Sequence, residues 1–398
     1  MLSAAFRIIG SPALLALALT SFILPPPSWA AEKAAPARGA PSRPAQPPTL
    51  TSTAGKPGSP GTKLRLDGMD YVSATDIAVW LGFKGTWILP LRKMTLTSKT
   101  NAANRVELTA ESRIVLVDGL RVILGNRIVV RKGHLFVGRT DLMRTLAPLM
   151  RPTALAFGPP APKVIALDAG HGGNDPGMQN TKLGVKEKVL ALDVVMRAKK
   201  LLEAAGYKVI LTRTSDRALS NDKRKDLLMR AERANRASAD LFVSVHFNSV
   251  FPDTRTSGTE IYVYTPAGQR STASLSAGQS DDTDDEVLPV NRFDPWSSLL
   301  AHKIHRETIE RLKTSDRGQK TMHSLVLRDL RCPAVLVESV FLSNEAEARR
   351  ASTATYRQQI AAALVSGIQA YAAAVAPLKL SDQQAQLGKA ASYVSPFP

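Results

Sequence analysis

Four side chains in the C-terminal half of the chain have the types and placement for hydrolytic chemistry. His171 lies in DAGHGGNDPG (168–177), just past the apolar strand VIALD (164–168). Its glycines let the backbone turn sharply and approach a ligand closely. His246 sits in SVHFNS (244–249), at the carboxyl end of a second apolar strand. Glu187 opens the helix that follows the first loop, and Glu338 closes the apolar run Val335-Leu336-Val337. In open α/β sheets ligands bind beyond the carboxyl ends of strands, so two histidines 75 positions apart can meet at one rim. Two imidazoles and one carboxylate make a three-ligand zinc site that leaves a fourth position for water. A further carboxylate, not a ligand, is then needed to move the water's proton to the leaving group.

Each residue also has a plainer reading. The glycine turn suits an anion at a helix N-terminus, although it lacks both P-loop and dinucleotide-binding spacing. Glu187 alone is what a helix dipole favours in its first turn, and His246 alone is compatible with a core position. Glu338 is harder to place without a role, because burying a carboxylate is costly unless it is paired or used. The single cysteine, Cys332, cannot form an intramolecular disulfide and reads as a buried thiol before Pro333.

The elements that must position these residues follow from periodicity. Lys186–Ala205 has helical spacing of apolar residues and is closed by Gly206. KVILTR (208–213), LFVSVHF (241–247), GTEIYVY (258–264) and AVLVES (334–339) read as strands. Helices are expected near Asp222–Ala237, Trp296–Lys313 and Tyr356–Ala373. The alternation predicts an α/β fold for 163–376, with a mostly parallel sheet flanked by helices on both faces. Within it, 265–295 is polar and long for a loop, and carries the acidic run Asp281, Asp282, Asp284, Asp285 and Glu286.

Upstream, residues 63–150 combine a helix near Ser73–Leu81 with β-rich runs RIVLV, RVILG and RIVVR, which predicts a small α+β module. His134 stands alone there and is read as structural. Residues 31–62 are rich in Pro, Ala, Gly and Ser and read as a disordered linker. Residues 1–30 read as a signal peptide: Arg7, an apolar run from Pro12 to Leu24, three prolines, then Ser28-Trp29-Ala30 before the cut. That run falls short of the ~20 residues a membrane span needs, so no stable membrane span is expected. The tail 377–398 reads as loose. The chain is therefore expected to cross the inner membrane by secretion and to work in the periplasm or cell envelope. With 52 Lys and Arg against 34 Asp and Glu, its net charge is +18 and favours anionic partners. Nucleic acid is not expected, since the chain is exported and lacks recognisable nucleic-acid motifs.

The blocks VIALDAGHGGNDPG, the KEK that opens the next helix, LTRTSD, FVSVHFNS, GTEIYVY and PAVLVESVFLSN together resemble the zinc-dependent N-acetylmuramoyl-L-alanine amidases of the bacterial cell wall. The resemblance implies Zn2+ held by His171, Glu187 and His246, with Glu338 as general acid or base. It implies peptidoglycan as substrate, cut at the amide between N-acetylmuramic acid and L-alanine, for wall remodelling or daughter-cell separation. Asn248 and Arg213 are expected to contact substrate. One departure is Val340, where the family more often has Gly before the Phe. Some family members carry an inserted helix that blocks the metal until an activator protein removes it. The resemblance therefore makes the acidic residues of 265–295 candidates for a regulatory plug. The run YVSATDIAVWLGF (71–83) resembles the small module at the N-terminus of copper amine oxidases, implying a stalk or wall-binding role without a copper site. Two other functions fit parts of the pattern: a zinc peptidase acting on stem peptides, and a non-catalytic peptidoglycan-binding protein.

Overall fold

The computed structural model describes residues 63–378, apart from 89–91, 156–157, 251 and 274–281. The expected signal peptide and linker, Asp281, and the tail beyond 378 lie outside the described residues. The first part of the chain forms β1 (Lys63–Leu66), β2 (Met69–Ser73), α1 (Ala74–Leu81), β3 (Phe83–Ile88), β4 (Lys93–Ser98) and β5 (Arg105–Thr109). It continues through β6 (Ile114–Val117), β7 (Leu120–Ile123), β8 (Val129–Arg131), β9 (His134–Gly138), α2 (Arg139–Asp141) and α3 (Ala147–Met150). The second part runs β10 (Val164–Ala169), β11 (Gln179–Asn180), β12 (Val185–Lys186), α4 (Glu187–Ala204), β13 (Lys208–Leu211), α5 (Lys223–Arg236) and β14 (Leu241–Asn248). After β15 (Thr259–Tyr264) come α6 (Asp294–Leu312), β16 (Asp316–Met322), α7 (Leu325–Arg328), β17 (Ala334–Phe341), α8 (Glu345–Ser352) and α9 (Ala354–Val375).

One sheet of eleven strands carries the site, in the order β13-β10-β14-β17-β15-β16-β7-β6-β5-β4-β3. Strands β13, β10, β14 and β17 are parallel, as their helical crossovers require. The sheet is nevertheless mixed rather than mostly parallel. The link from β14 to β15 has no crossover helix, so the chain turns back and β15 pairs antiparallel with β17. Helix α6 then provides a crossover, and β16 lies parallel to β15. Strands β7 to β3 complete the sheet as an antiparallel meander.

Both faces are covered. Leu190, Val194 and Val195 of α4, Leu300 and Ile304 of α6, and Ile360, Leu364 and Ile368 of α9 pack with Val243, Val245 and Val337 on one face. Ala231 and Ala234 of α5 and Leu327 of α7 pack with Phe242, Tyr262 and Leu336 on the other.

The α+β segment 63–150 is built onto this sheet. Strand β7 pairs with β16 at Val122 and Gln319, and Arg121 N donates to Asp316 Oδ2 at 2.7 Å. Buried polar ties reinforce the join: Gln269 Nε2 donates to Asp141 Oδ1 at 3.0 Å, and Ser298 Oγ to the Thr145 carbonyl at 3.2 Å. The first hydrophobic cluster runs through both parts, from Val72 to Val375.

Candidate metal centre

His171 lies two residues beyond β10, in a left-handed conformation with φ of 61°. A non-glycine residue there costs of order 1–3 kcal/mol and persists only when its surroundings enforce it. Two buried arginines do so. Arg213 donates through Nε to the Ala169 carbonyl and through Nη2 to the Gly170 carbonyl, both at 2.8 Å. Arg230 donates through Nη1 to the Ala169 carbonyl and through Nη2 to the His171 carbonyl, both at 2.7 Å. Arg230 is itself held by Asp168 at 3.0 Å and Asp226 at 2.8 Å. Asp168 also accepts from Thr212 Oγ1 at 2.5 Å and Ser244 Oγ at 2.6 Å. Although burial pushes its carboxyl up, Arg230, Ser244 and Thr212 hold it below the usual range.

The loop delivers His171 to Glu187, the first residue of α4. His171 Nε2 lies 3.0 Å from Glu187 Oε1, and His246 Nδ1 lies 2.9 Å from the same oxygen. The imidazole rings meet edge to face with centroids 4.9 Å apart. The three ligand atoms lie within 4.8 Å of one another, a grouping able to hold a metal ion. Glu187 is oriented by two backbone donors: Phe247 N to Oε1 at 3.0 Å and Met178 N to Oε2 at 2.8 Å. Burial opposes its charge, but both histidines hold its carboxyl well below the ordinary range. The outer nitrogen of His171, Nδ1, faces Asp175 Oδ2 at 2.9 Å, the carboxylate–histidine pairing that fixes a metal-binding imidazole. Despite partial burial, Lys223 and His171 keep Asp175 down at about 2. Gly177 must lack a side chain, for its φ is +63° and a Cβ would stand 2.5 Å from Glu187 Oε2 and 2.7 Å from His171 Cδ2.

Glu338 is the register partner of His246 on the adjacent parallel strand. Its Oε2 is buried without a hydrogen-bond partner. Burial, then the charges of Glu187 and Glu260, push its carboxyl well above the usual range. A carboxyl so disposed is suited to carrying a proton. The donor set and this orphaned oxygen fit a metal ion beside an acid–base group.

The remaining expected residues engage protein partners. Asn248 is half-buried and donates to Glu260 Oε1 at 2.5 Å. Arg213 is only 3% exposed, and its guanidinium is engaged by the carbonyls of the loop. The described acids of the insertion lie away from the metal centre. Glu260 at the start of β15 stands opposite Glu338, whereas Tyr262 pairs with Leu336, so β15 runs away from the rim. The segment after Tyr264 therefore leaves the sheet at its remote end, where Ser271 Oγ donates to the Thr321 carbonyl at 3.0 Å. Asp282 accepts from Ser271 N at 3.0 Å, the Asp284 carbonyl accepts from Gly268 N at 2.8 Å, and Glu286 lies 3.3 Å from Arg328. Asp285 lies beside Gly268 in the same turn. The described acids of the insertion thus do not plug the histidine cluster, because strand direction carries them to the opposite end.

Sequence reasoning overlooked Asp168, Arg230, Asp175 and Glu260. Asp168 and Asp175 lie inside the glycine-loop block itself. The i,i+4 pair Asp226–Arg230 was a further local signal.

An α/β sheet with two histidines and a carboxylate converging beside a free buried carboxyl has the parts of a metal-dependent hydrolase. The chain belongs to the N-acetylmuramoyl-L-alanine amidase family, whose profile matches residues 165–370. Over 228 residues it is 31% identical to N-acetylmuramoyl-L-alanine amidase AmiC of Escherichia coli, covering 53% of each chain. It is 28% identical over 253 residues to Escherichia coli AmiA, covering 59% of this chain and 84% of that one. The chain spans about half the length of the AmiC relatives it matches, from Escherichia coli and Neisseria meningitidis. Among solved structures, it is similar to the catalytic domain of the amidase CwlV from Bacillus (Paenibacillus) polymyxa. That similarity has 26% identity and a TM-score of 0.42, over 52% of this chain and 97% of the other.

Proposed function

We propose that this protein hydrolyses the amide bond between N-acetylmuramic acid and L-alanine in peptidoglycan, with zinc held by His171, Glu187 and His246. The observation that carries the reading is the orphaned Glu338 carboxyl in register with His246, one strand from the converged ligands. Zinc bound there supplies an acidified water and a polarised carbonyl. The chain's own part is positional and protonic. Asp175 fixes the His171 ring, and Phe247 N and Met178 N fix Glu187. Glu338 takes the proton of the attacking water at its free oxygen and returns it to the leaving amine nitrogen.

The basic chain suits an anionic wall polymer, and its place of action is the cell envelope after export. Among the described residues no helix is long and apolar enough to cross a membrane. The reading is tested with Glu338→Gln. Metal content is expected to match wild type while release of stem peptides falls by about 10²–10⁴-fold, the usual contribution of a general acid or base. A variant that retains wild-type turnover would refute the assignment.

A further inference from the structure

A second polar site lies on the same sheet rim, two strands beyond Glu338. It is a cleft of about 430 Å³ lined by Arg121, Arg255, Ser257, Ser315, Asp316 and Arg317. Three arginines from three separate segments line it. Arg121 comes from β7, in the segment that precedes the family-matched region. Arg255 comes from the loop before β15, and its side chain is 97% exposed with Asp253 only as near as 4.0 Å. Arg317 comes from β16, where the register with β15 slips between Thr259 and Glu260. Such a bulge re-aims a side chain. The Arg317 guanidinium is turned over the Phe341 ring, 5.0 Å from its centroid.

The cleft's one carboxylate is already engaged. Asp316 Oδ1 accepts from Gly318 N at 2.8 Å and lies 2.6 Å from His305 Nε2, while Oδ2 accepts from Arg121 N at 2.7 Å. It fixes the floor and leaves the Arg121 and Arg255 heads for a ligand, with Arg317 set between the cleft and Glu260. Gly258 permits the close approach of the walls: its φ is +117°, and a Cβ would stand 2.4 Å from the Ser315 carbonyl oxygen.

A line of contacts joins the cleft to the metal centre. Asn248 follows His246 by two residues and donates to Glu260, and Glu260 Oε1 lies 3.7 Å from Arg317 Nε. With ~4.8 Å between neighbouring strands, β16 and β7 stand roughly 14 and 19 Å from β14. An extended peptide advances about 3.3–3.6 Å per residue, so about four residues leaving the rim at His246 reach β16 and about five or six reach β7.

We propose that Arg121, Arg255 and Arg317 bind free carboxylates of the peptide stem beyond the scissile amide, which makes the N-terminal segment part of the substrate site. This rests on the amidase reading for the identity of the peptide. The arrangement suits a carboxylate because guanidinium forks match its geometry and charge.

The test uses the full metal-loaded chain and two synthetic stem tetrapeptides, one with free carboxylates and one with those groups as carboxamides. Wild type is expected to bind the carboxylate form more tightly, by about tenfold or more, and to lose the preference as salt rises. The double variant Arg121→Gln/Arg255→Gln should bind the two peptides alike. Both residues are exposed, so its thermal midpoint should stay at the wild-type value. On peptidoglycan fragments the double variant should show a raised KM at unchanged kcat. Equal preference for the carboxylate form in wild type and double variant, or an unchanged KM, would overturn the proposal. A wild-type protein that releases no stems, yet shows the carboxylate preference and loses it in the double variant, would instead refute the amidase reading and leave the cleft standing.

Discussion

Glu338 stands between two neighbours in register, His246 on the parallel strand at one side and Glu260 on the antiparallel strand at the other. The reversal of strand direction at β15 creates this arrangement. It brings Glu260 to the rim opposite Glu338 and lets Asn248, Lys320 and Arg317 gather around Glu260 instead. Glu338 is left with a free oxygen beside the converged ligands.

The ligand assignment predicts that His171→Ala and His246→Ala each lose bound metal. Elemental analysis of protein purified without added metal should give about one zinc per wild-type chain and far less in either variant. Chelation should lower the thermal midpoint of wild type and barely change that of the variants, because an ion bound only by the folded state stabilises it.

Asp168→Asn removes the partner of the buried Arg230 and should destabilise the protein at neutral pH by about 3–5 kcal/mol, as for other broken buried pairs. The sign with pH follows from the depressed carboxyl. Its stabilisation is present above the ordinary carboxylate range and is lost as pH falls through the lower folded value. The gap between variant and wild type, measured by denaturant titration, should narrow in acid.

Asp294 predicts the opposite trend. Burial pushes its carboxyl up to about 7, against Arg144 and Asn291. A raised acid stabilises below its unfolded value and loses that stabilisation as pH rises through the folded one. Asp294→Asn should therefore gain on wild type between about pH 4 and 7, by a few kcal/mol at most. Denaturant midpoints across that range check it.

The rim cluster was legible in the sequence because apolar strands leading to His171, His246 and Glu338 announce both the strand and its exit point. Helices α4, α5, α6 and α9 were legible from their periodicity. Strand β16 was not: Asp316–Met322 reads DRGQKTM, a polar run that becomes a strand because β15 and β7 pair with it on both sides. The join to the N-terminal segment depends on that same strand. The placement of the described acids after β15 was hidden for a related reason, since it depends on the direction of β15, which only the tertiary pairing fixes.

That placement makes a prediction of its own. Asp282→Asn, Asp284→Asn, Asp285→Asn and Glu286→Gln combined should leave turnover of purified peptidoglycan within about twofold of wild type, since surface changes away from a site alter its energetics little. A large activation would restore the plug that the sequence suggested.

The sharing of one sheet predicts that the fragment 163–376 is less stable than residues 63–378. Without β7, the edge of β16 is unpaired and Gln269 and Ser298 lose Asp141 and Thr145. Calorimetry should show a lower thermal midpoint for the fragment, and an equal midpoint would mean that the join is dispensable.

The central claim concerns which bond is cut. Mass spectrometry of purified peptidoglycan digested with the zinc-loaded full chain should show free stem peptides beginning at L-alanine, and none with Glu338→Gln. Shortened stems still joined to sugar, or no release by wild type, would contradict it.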